Sequence, residues 1–170
     1  MKVSQITNKE LADYLKLDYF SLTDAEKLEL DTLLSIAKSF IKSYTGLEDL
    51  NVENEVIETG DGIKTTFYLE NKNAITNSQT LYVDGVVKDK AADYVFDGAE
   101  GKVDFLVPPA LGGIITGSYK TSQIDNYEDF VIVVYILAQD MYDNRTLYIE
   151  KNNLNKVVDT ILGMHSVNLL

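Results

Sequence analysis

An apolar stretch at residues 130–138, FVIVVYILA, constrains the fold of this chain more than any other feature. One helix face has apolar residues at the three-and-four spacing: Phe130, Val134, Leu137, Ala138 and Met141. Most of the residues between them are apolar as well. A helix that is apolar on nearly all sides is buried on more than one side. Either a large core surrounds it, or a small core covers one face and a neighbouring subunit covers the rest. In a chain of 170 residues we favour the neighbour.

The boundaries of this helix are also readable. Asp125, followed three residues later by Glu128, predicts a capped start, because both side chains suit the free N–H groups and positive end of a helix. Residues 142–146 are polar and suited to leaving a helix. The apolar run is shorter than the roughly 20 residues that cross a bilayer, so we expect a core or interface helix and no membrane contact.

Two helices are predicted before residue 50. Thr7 with Glu10, and Thr23 with Glu26, stand at capping-box spacing. Gly46 is placed to end the second helix in a left-handed cap. The apolar stripe of this second helix consists of Leu30, Leu33, Leu34, Ala37, Phe40, Ile41 and Tyr44.

From about residue 51 the pattern changes from helical to β. Short β-branched and aromatic runs alternate with glycine turns, and Asp84-Gly85 between two such runs is the strongest hairpin signal. A looser hairpin is predicted around residues 97–101, and a last strand at 114–119. We expect a small antiparallel sheet of roughly five to seven strands.

Helical patterning resumes at Asp125 and ends in a final helix started by Asn152 or Asn153. The predicted fold class is therefore α+β: a small four-helix bundle interrupted by an inserted antiparallel β module. We place the helical domain at residues 1–50 and 123–170 and the insertion at 51–122, since insertions are tolerated where both ends of the guest lie close together.

Composition limits the possible partners. With 27 acidic and 15 basic residues the formal net charge is −12, which argues against binding nucleic acid through the general surface. An acidic face still suits a passage through which DNA slides. The absence of cysteine excludes thiolate catalysis and zinc-thiolate sites. The opening MKVSQITNKE turns polar too early for a signal peptide, so we expect synthesis without export.

The motifs of catalysis, cofactor binding and metal binding are not found in the sequence. The single histidine, His165, has no metal-binding companion, and we interpret it as a surface or interface residue at a helix end. Asp140, Asp143 and Asn144 lack calcium-loop spacing and are typical of a solvated helix end. Residues 60–62, Gly-Asp-Gly, predict a turn rather than a phosphate loop. We therefore expect no enzymatic activity, no cofactor and no catalytic or metal-ligating residues.

Aromatic residues are frequent in the β region and allow two interpretations. Facing outward they would stack on sugars or bind a partner, whereas strand alternation favours placing most of them in a core. The residues concerned are Phe67, Tyr68, Tyr82, Tyr94, Phe96, Phe105 and Tyr119. We favour the core.

The order of the helical motifs resembles the head-tail connector proteins of long-tailed bacteriophages and prophages, also called adaptor or head-completion proteins. Residues 7–16, TNKELADYLK, are similar to the opening of that family, and residues 37–46 to its second helix, which closes on Tyr-Thr-Gly. Residues 141–145, MYDNR, are similar to the end of its third helix, and 161–166 fit its last helix. The resemblance covers the helical half, whereas the β region departs from the family's brief connection.

This resemblance implies a structural role in the neck of a phage virion, with the protein itself made in the bacterial host cytoplasm. It implies a ring, a dodecamer in the virion, bound beneath the portal protein and offering its other face to the next neck or tail-completion protein. The ring would extend the DNA channel used in DNA packaging and provide the tail docking surface, with no sequence-specific DNA binding.

Two sets of contact residues follow. Because at most one side of the apolar helix can face its own bundle, we assign subunit contacts to Val131, Val133, Tyr135 and Ile136. By analogy with the family, the apolar C-terminal tail would dock into the portal through Met164, Val167, Leu169 and Leu170.

Two other functions remain open at this point. One is a surface binding module whose β insertion recognises a glycan or host protein, which requires an exposed row of aromatic residues on one sheet face. The other is a small hydrolase built on two carboxylates in a cleft.

Overall fold

The computed structural model describes residues 1–75, 77–144 and 155–167 of the chain. It confirms the α+β class, with helices and antiparallel sheets in separate parts of the chain. The chain divides into two compact units: a helical unit formed by Met1–Glu48 with Ile124–Leu170, and a β unit formed by Asp49–Gln123.

The described helical unit contains four α-helices and short 3-10 turns. The α-helices are α1 (Asn8–Tyr14), α2 (Asp24–Thr45), α3 (Phe130–Asn144) and α4 (Lys156–His165). The 3-10 turns are Val3–Gln5, Tyr19–Ser21 and Gln123–Asn126.

The predicted caps of α1 and α2 are confirmed. The hydroxyl oxygens of Thr7 and Thr23 accept the backbone N–H of Glu10 and Glu26, and each glutamate reaches back to the threonine N–H at 2.7 Å. Gly46 ends α2 in the left-handed region, with φ of 74°, and donates its N–H to Lys42 O at 2.8 Å. Local chemistry alone therefore sets these three helix ends.

The core of the helical unit is built around α3. Five side chains of this helix that share the predicted face are buried: Phe130, Val134, Leu137, Ala138 and Met141. They pack with side chains of the other helices, including Leu11 and Ala12 of α1, Leu30, Leu34 and Ile41 of α2, and Val158 and Leu162 of α4. One small core thus covers much of α3 without any neighbouring molecule.

The predicted start of α3 at Asp125 is wrong. The α-helix begins at Phe130, after the 3-10 turn Gln123–Asn126. Asp125 is buried, and its carboxylate accepts the backbone N–H of Ser4 at 2.8 Å. This hydrogen bond joins the segment before α3 to the N-terminal segment of the chain. The Asp125 carboxylate therefore holds two distant segments together instead of capping a helix.

The predicted start of α4 falls on residues outside the described part of the chain. Within that part, Asn155 is the N-cap, and its side-chain oxygen accepts the N–H of Val157 at 2.9 Å. Asn152 and Asn153, which we expected to begin this helix, are not described.

The β unit contains seven described strands in two antiparallel sheets, whereas the sequence led us to expect one. The strands are β1 (Leu50–Thr59), β2 (Thr66–Tyr68), β3 (Thr80–Val83), β4 (Val86–Lys88), β5 (Tyr94–Asp97), β6 (Lys102–Phe105) and β7 (Ile114–Thr121). One sheet has the order β1-β7-β3-β4 and the other β2-β6-β5. Both predicted hairpins are confirmed, and Asp84 and Gly85 have the positive φ angles that a two-residue turn requires.

The aromatic residues of the β unit lie mainly in its core, as the strand alternation predicts. Phe67, Tyr94, Phe105 and Tyr119 are each at most 6% exposed. Of the seven aromatic residues considered for a binding platform, only Tyr68 is exposed, at 58%. The rings therefore stabilise the β unit rather than forming an outward row.

The left-handed conformation of Gly46 gives a stability prediction with a matched control. Gly46→Ala should lower the free energy of unfolding by about 1–2 kcal/mol, because an L-residue is strained at this φ. The added methyl group itself would be tolerated, since its nearest neighbour is Val167 Cβ at 3.8 Å. Urea unfolding followed by circular dichroism measures the change.

Gly163→Ala is the control, since it adds the same methyl group inside α4, where no atom other than those of its own helix backbone and chain neighbours lies within 4 Å. It should stabilise by up to about 1 kcal/mol through helix propensity. Equal effects of the two substitutions would contradict the assignment of strain to Gly46.

Candidate interaction surface of the helical unit

Only part of the predicted subunit-contact face of α3 is available to a partner. Val133 is 0% exposed and belongs to the core of its own unit, so its assignment to a subunit contact is wrong. Val131, Tyr135 and Ile136 are half-buried and pack against the same core. Whether these three contact another subunit stays a prediction.

Tyr135 is held by a contact within the chain. Its ring stacks on Tyr14 of α1, with centroids 4.7 Å apart and planes 13° from parallel. Burial, followed by the charges of Glu10 and Asp13, raises the pKa of Tyr135, so the side chain remains a neutral hydroxyl at physiological pH. Tyr135 therefore joins α1 to α3, and its side chain stays partly exposed.

Ile132 is the α3 side chain that the sequence analysis overlooked. It is 39% exposed and lies opposite the buried face of the helix. Helical spacing contained this signal, because Val133 follows Phe130 by three residues and precedes Leu137 by four, which places Val133 on the buried side. The outward face is accordingly centred on Ile132.

The end of α4 is fastened to the start of α3. His165 Nε2 lies 2.7 Å from Asp129 Oδ2, and the side chains are 22% and 38% exposed. The imidazole ring also packs on Tyr127, at a centroid distance of 4.3 Å, and edge-on against Phe130 at 5.2 Å. The sequence did not indicate that His165 contacts Asp129. Together with the ring contacts, this interaction holds the C-terminal end of α4 in place.

A second set of hydrogen bonds holds α4 and involves residues 44–46, the Tyr-Thr-Gly at the end of α2. Tyr44 Oη donates to Asp159 Oδ1 of α4 at 2.7 Å, and the Val167 N–H donates to Thr45 O at 2.8 Å. The hydrogen bond to the Asp159 carboxylate, with smaller effects of burial and charge, raises the pKa of Tyr44. These bonds set the direction in which the chain leaves α4.

Of the four residues assigned to portal docking, two are described. Met164 is 65% exposed and Val167 is 50% exposed, although Met164 directly precedes His165 and the Val167 N–H is bonded to Thr45 O. Val157, on the first turn of α4, is 52% exposed. Leu169 and Leu170 lie outside the described residues. Apolar side chains are therefore exposed on the first turn of α4 and at its C-terminal end, where hydrogen bonds hold the backbone.

A groove of about 690 Å³ also opens in the helical unit. It lies between the start of α1 and one side of α2, and Ile6, Tyr19, Leu34 and Lys38 are among its lining residues. Burial lowers the pKa of Lys38, and the charge of Asp125 acts in the opposite direction. The groove is therefore lined by both apolar and polar side chains.

The described side chains do not assemble a metal site. Over residues 1–75, 77–144 and 155–167, no three His, Asp or Glu side chains are grouped closely enough to hold an ion. Burial, then the charge of Asp143, raises the pKa of Asp140. The Asn144 amide instead donates to Asp140 O at 2.8 Å and closes the last turn of α3. In the same ranges no helix has the length and hydropathy needed to cross a membrane.

Comparisons with known proteins assign no family. No protein-family model matches the chain, and no match was found among curated proteins. Among solved structures, the chain is similar to one described as "Neck of empty GTA particle computed with C6 symmetry", with 18% sequence identity and a TM-score of 0.40. The match covers 99% of this chain and 93% of that chain. A match at this level establishes neither a common fold nor a common function.

The contrast between Val133 and Ile132 gives a direct test of how α3 is used. Val133→Ala should lower the free energy of unfolding by about 2 kcal/mol, because it leaves a cavity in the core. Ile132→Ala should cost less than about 1 kcal/mol in the monomer, since the side chain is partly solvated. Chemical denaturation at low protein concentration measures both values, and a larger cost for Ile132 would contradict the orientation of α3.

Proposed function

We propose that this protein is a non-enzymatic structural component of a phage neck. In this proposal it acts as a head-tail connector whose copies form a ring beneath the portal, extend the DNA channel and provide the tail docking surface. The resemblance of the helical motifs to connector proteins supports the proposal, and the geometry around α4 gives those motifs a physical role.

The observation that carries the proposal is the set of contacts that Tyr44-Thr45-Gly46 makes with α4 and Val167. Tyr44 bonds Asp159 of α4, Thr45 O accepts the Val167 N–H, and Gly46 turns the chain within 3.8 Å of Val167 Cβ. One of the motifs that carry the resemblance thus holds the C-terminal segment that the connector role requires for docking. Preorganised docking residues bind better because less conformational freedom is lost on association.

The exposed side chains at the end of α4 suit a protein partner. Met164 is flexible and polarisable, and such side chains adapt to irregular apolar surfaces. Val167 and Val157 extend the apolar surface available to a partner. We propose the portal as that partner and Met164 as the central contact.

Charge supports a passive relation to DNA. A chain of net charge −12 repels the phosphate backbone, so DNA would slide past a ring of such chains without adhering. We propose that Ile132, with the exposed edges of Val131, Tyr135 and Ile136, contributes to contacts between copies. In this model Val133 supports the helix from inside.

A matched pair of substitutions tests the portal contact. Met164 and Leu28 are both helical and both 65% exposed, but only Met164 lies at the end of α4. Met164→Asp should weaken binding to the candidate portal protein by at least about tenfold, since a charge would replace a buried apolar contact. Leu28→Asp should leave portal binding unchanged.

Negative-stain microscopy of the protein with and without the portal, together with titration by interferometry, measures both effects. Rings on portal particles that disappear with Met164→Asp and persist with Leu28→Asp are the expected result. Equal binding by both variants would remove the docking role of α4, and an absence of any portal complex with the unaltered chain would overturn the connector proposal.

A further inference from the structure

Two loops of the β unit are locked together by backbone hydrogen bonds. The Gly60 N–H donates to Gly113 O at 2.8 Å, and the Gly112 N–H donates back to Gly60 O at 2.9 Å. The Gly62 N–H donates to Pro109 O at 3.1 Å. A methyl group on Gly60 would lie only 2.6 Å from Ala110 O, so the close approach requires glycine. The two loops therefore form one ordered tip.

This tip presents two apolar side chains to solvent. Ile63 is 82% exposed and Leu111 is 84% exposed. They lie on adjacent loops, since a methyl group on Gly62 would be 4.0 Å from Leu111 Cβ. We refer to Ile63 and Leu111 together as the knob. Two large aliphatic side chains held out on a locked backbone are typical of an interaction site.

An apolar cleft of about 260 Å³ lies in the same unit. Its lining residues are Val83, Lys88, Ala92, Asp93, Phe105, Leu106, Val107, Pro108, Pro109 and Ala110. Lys88 and Asp93 place one charge of each sign at its wall. Leu111 directly follows Ala110 in the chain, yet its exposure shows that it does not fill the cleft.

The polar groups of the tip are already satisfied within the chain. Asp61 accepts the N–H groups of Ile63 and Lys64 at 2.8 and 2.6 Å, and these bonds lower its pKa. Lys64 also pairs with Glu58 at 2.6 Å, and Asp84 accepts the Ile114 N–H at 2.9 Å. Of these charges, those of Lys64 and Glu58 are paired, whereas Asp61 and Asp84 remain carboxylates. Apolar burial at the tip therefore has to outweigh the repulsion between two chains that each carry −12.

We propose that the knob of one copy docks into the cleft of a second copy of this chain. Both halves of the contact are present on one unit, the condition for an interface between identical chains. The cleft also has room for the knob: an apolar cavity of about 150 Å³ binds benzene, which has six carbon atoms, and this cleft is about 260 Å³. The side chains of Ile63 and Leu111 together bring about eight carbon atoms. This contact gives the β unit a role in self-association and does not depend on the connector proposal.

Self-association of the full chain tests the contact. Sedimentation and light scattering from about 1 µM to about 1 mM should show a concentration-dependent increase in mass. Replacing the knob by Ile63→Ser with Leu111→Ser should weaken association by at least about tenfold. Filling the cleft by Ala92→Trp at an exposed position should have a similar effect. Val56→Ser, on β1 of the same unit at 67% exposure, is the matched control and should leave the mass unchanged.

Mixing the two defective variants separates this contact from general stickiness. The cleft of the knob variant and the knob of the Ala92→Trp variant are both intact, so the mixture should recover association that neither variant shows alone. Circular dichroism of each variant confirms that the fold is retained.

A chain that stays monomeric up to about 1 mM would overturn the inference, as would variants that keep the full mass. If Ile132→Asp abolishes association while the knob and cleft variants do not, the copies meet through α3. That result would overturn this inference and leave the connector proposal standing, whereas a lost portal complex with intact knob–cleft association would do the reverse.

Discussion

The pairing of β1 with β7 is the constraint on which the arrangement of the chain depends. Leu50 lies opposite Thr121, so the β unit ends one strand spacing, about 5 Å, from where it began. An insertion with adjacent ends replaces a short connection without stretching the host. Helix α2 ends before the β unit and α3 follows it, yet the two helices share one core. Because the ends of the β unit are adjacent, this is possible although more than 80 residues separate Ala37 from Phe130.

Within that core, a few polar contacts decide how the helices are held. Asp125 bonds Ser4, Tyr44 bonds Asp159 and His165 bonds Asp129, and each joins segments distant in sequence. Apolar packing between helices is tolerant of small shifts, whereas a hydrogen bond has a required length and direction. These bonds therefore fix the register of segments whose apolar faces alone would allow several arrangements.

Sequence reasoning succeeded where the determining interactions are local. The caps at Thr7, Thr23 and Gly46 and the Asp84-Gly85 turn depend on residues within four positions of each other, and all are as predicted. Sequence reasoning failed where a local pattern competed with a distant partner: Asp125 has the spacing of a helix cap, but its carboxylate bonds Ser4 instead. The division into two sheets was equally out of reach, because strand partners are chosen by packing across the whole unit. Val133 is a different case, since helical spacing already placed it inside and the uniform hydrophobicity of α3 obscured the signal.

The exposures of the apolar surfaces bear on how copies of an acidic chain could associate. Like-charged chains repel unless apolar burial outweighs the repulsion, and that gain scales with the apolar area removed from water. On α3 most of the area is already covered within the chain, and the most exposed described apolar side chain, Ile132, is 39% exposed. At the tip of the β unit, Ile63 and Leu111 are more than twice as exposed on a backbone that is already ordered. Burial of the knob therefore yields more hydrophobic free energy per side chain, so we expect association of identical copies to be stronger through the β unit than through the apolar helix.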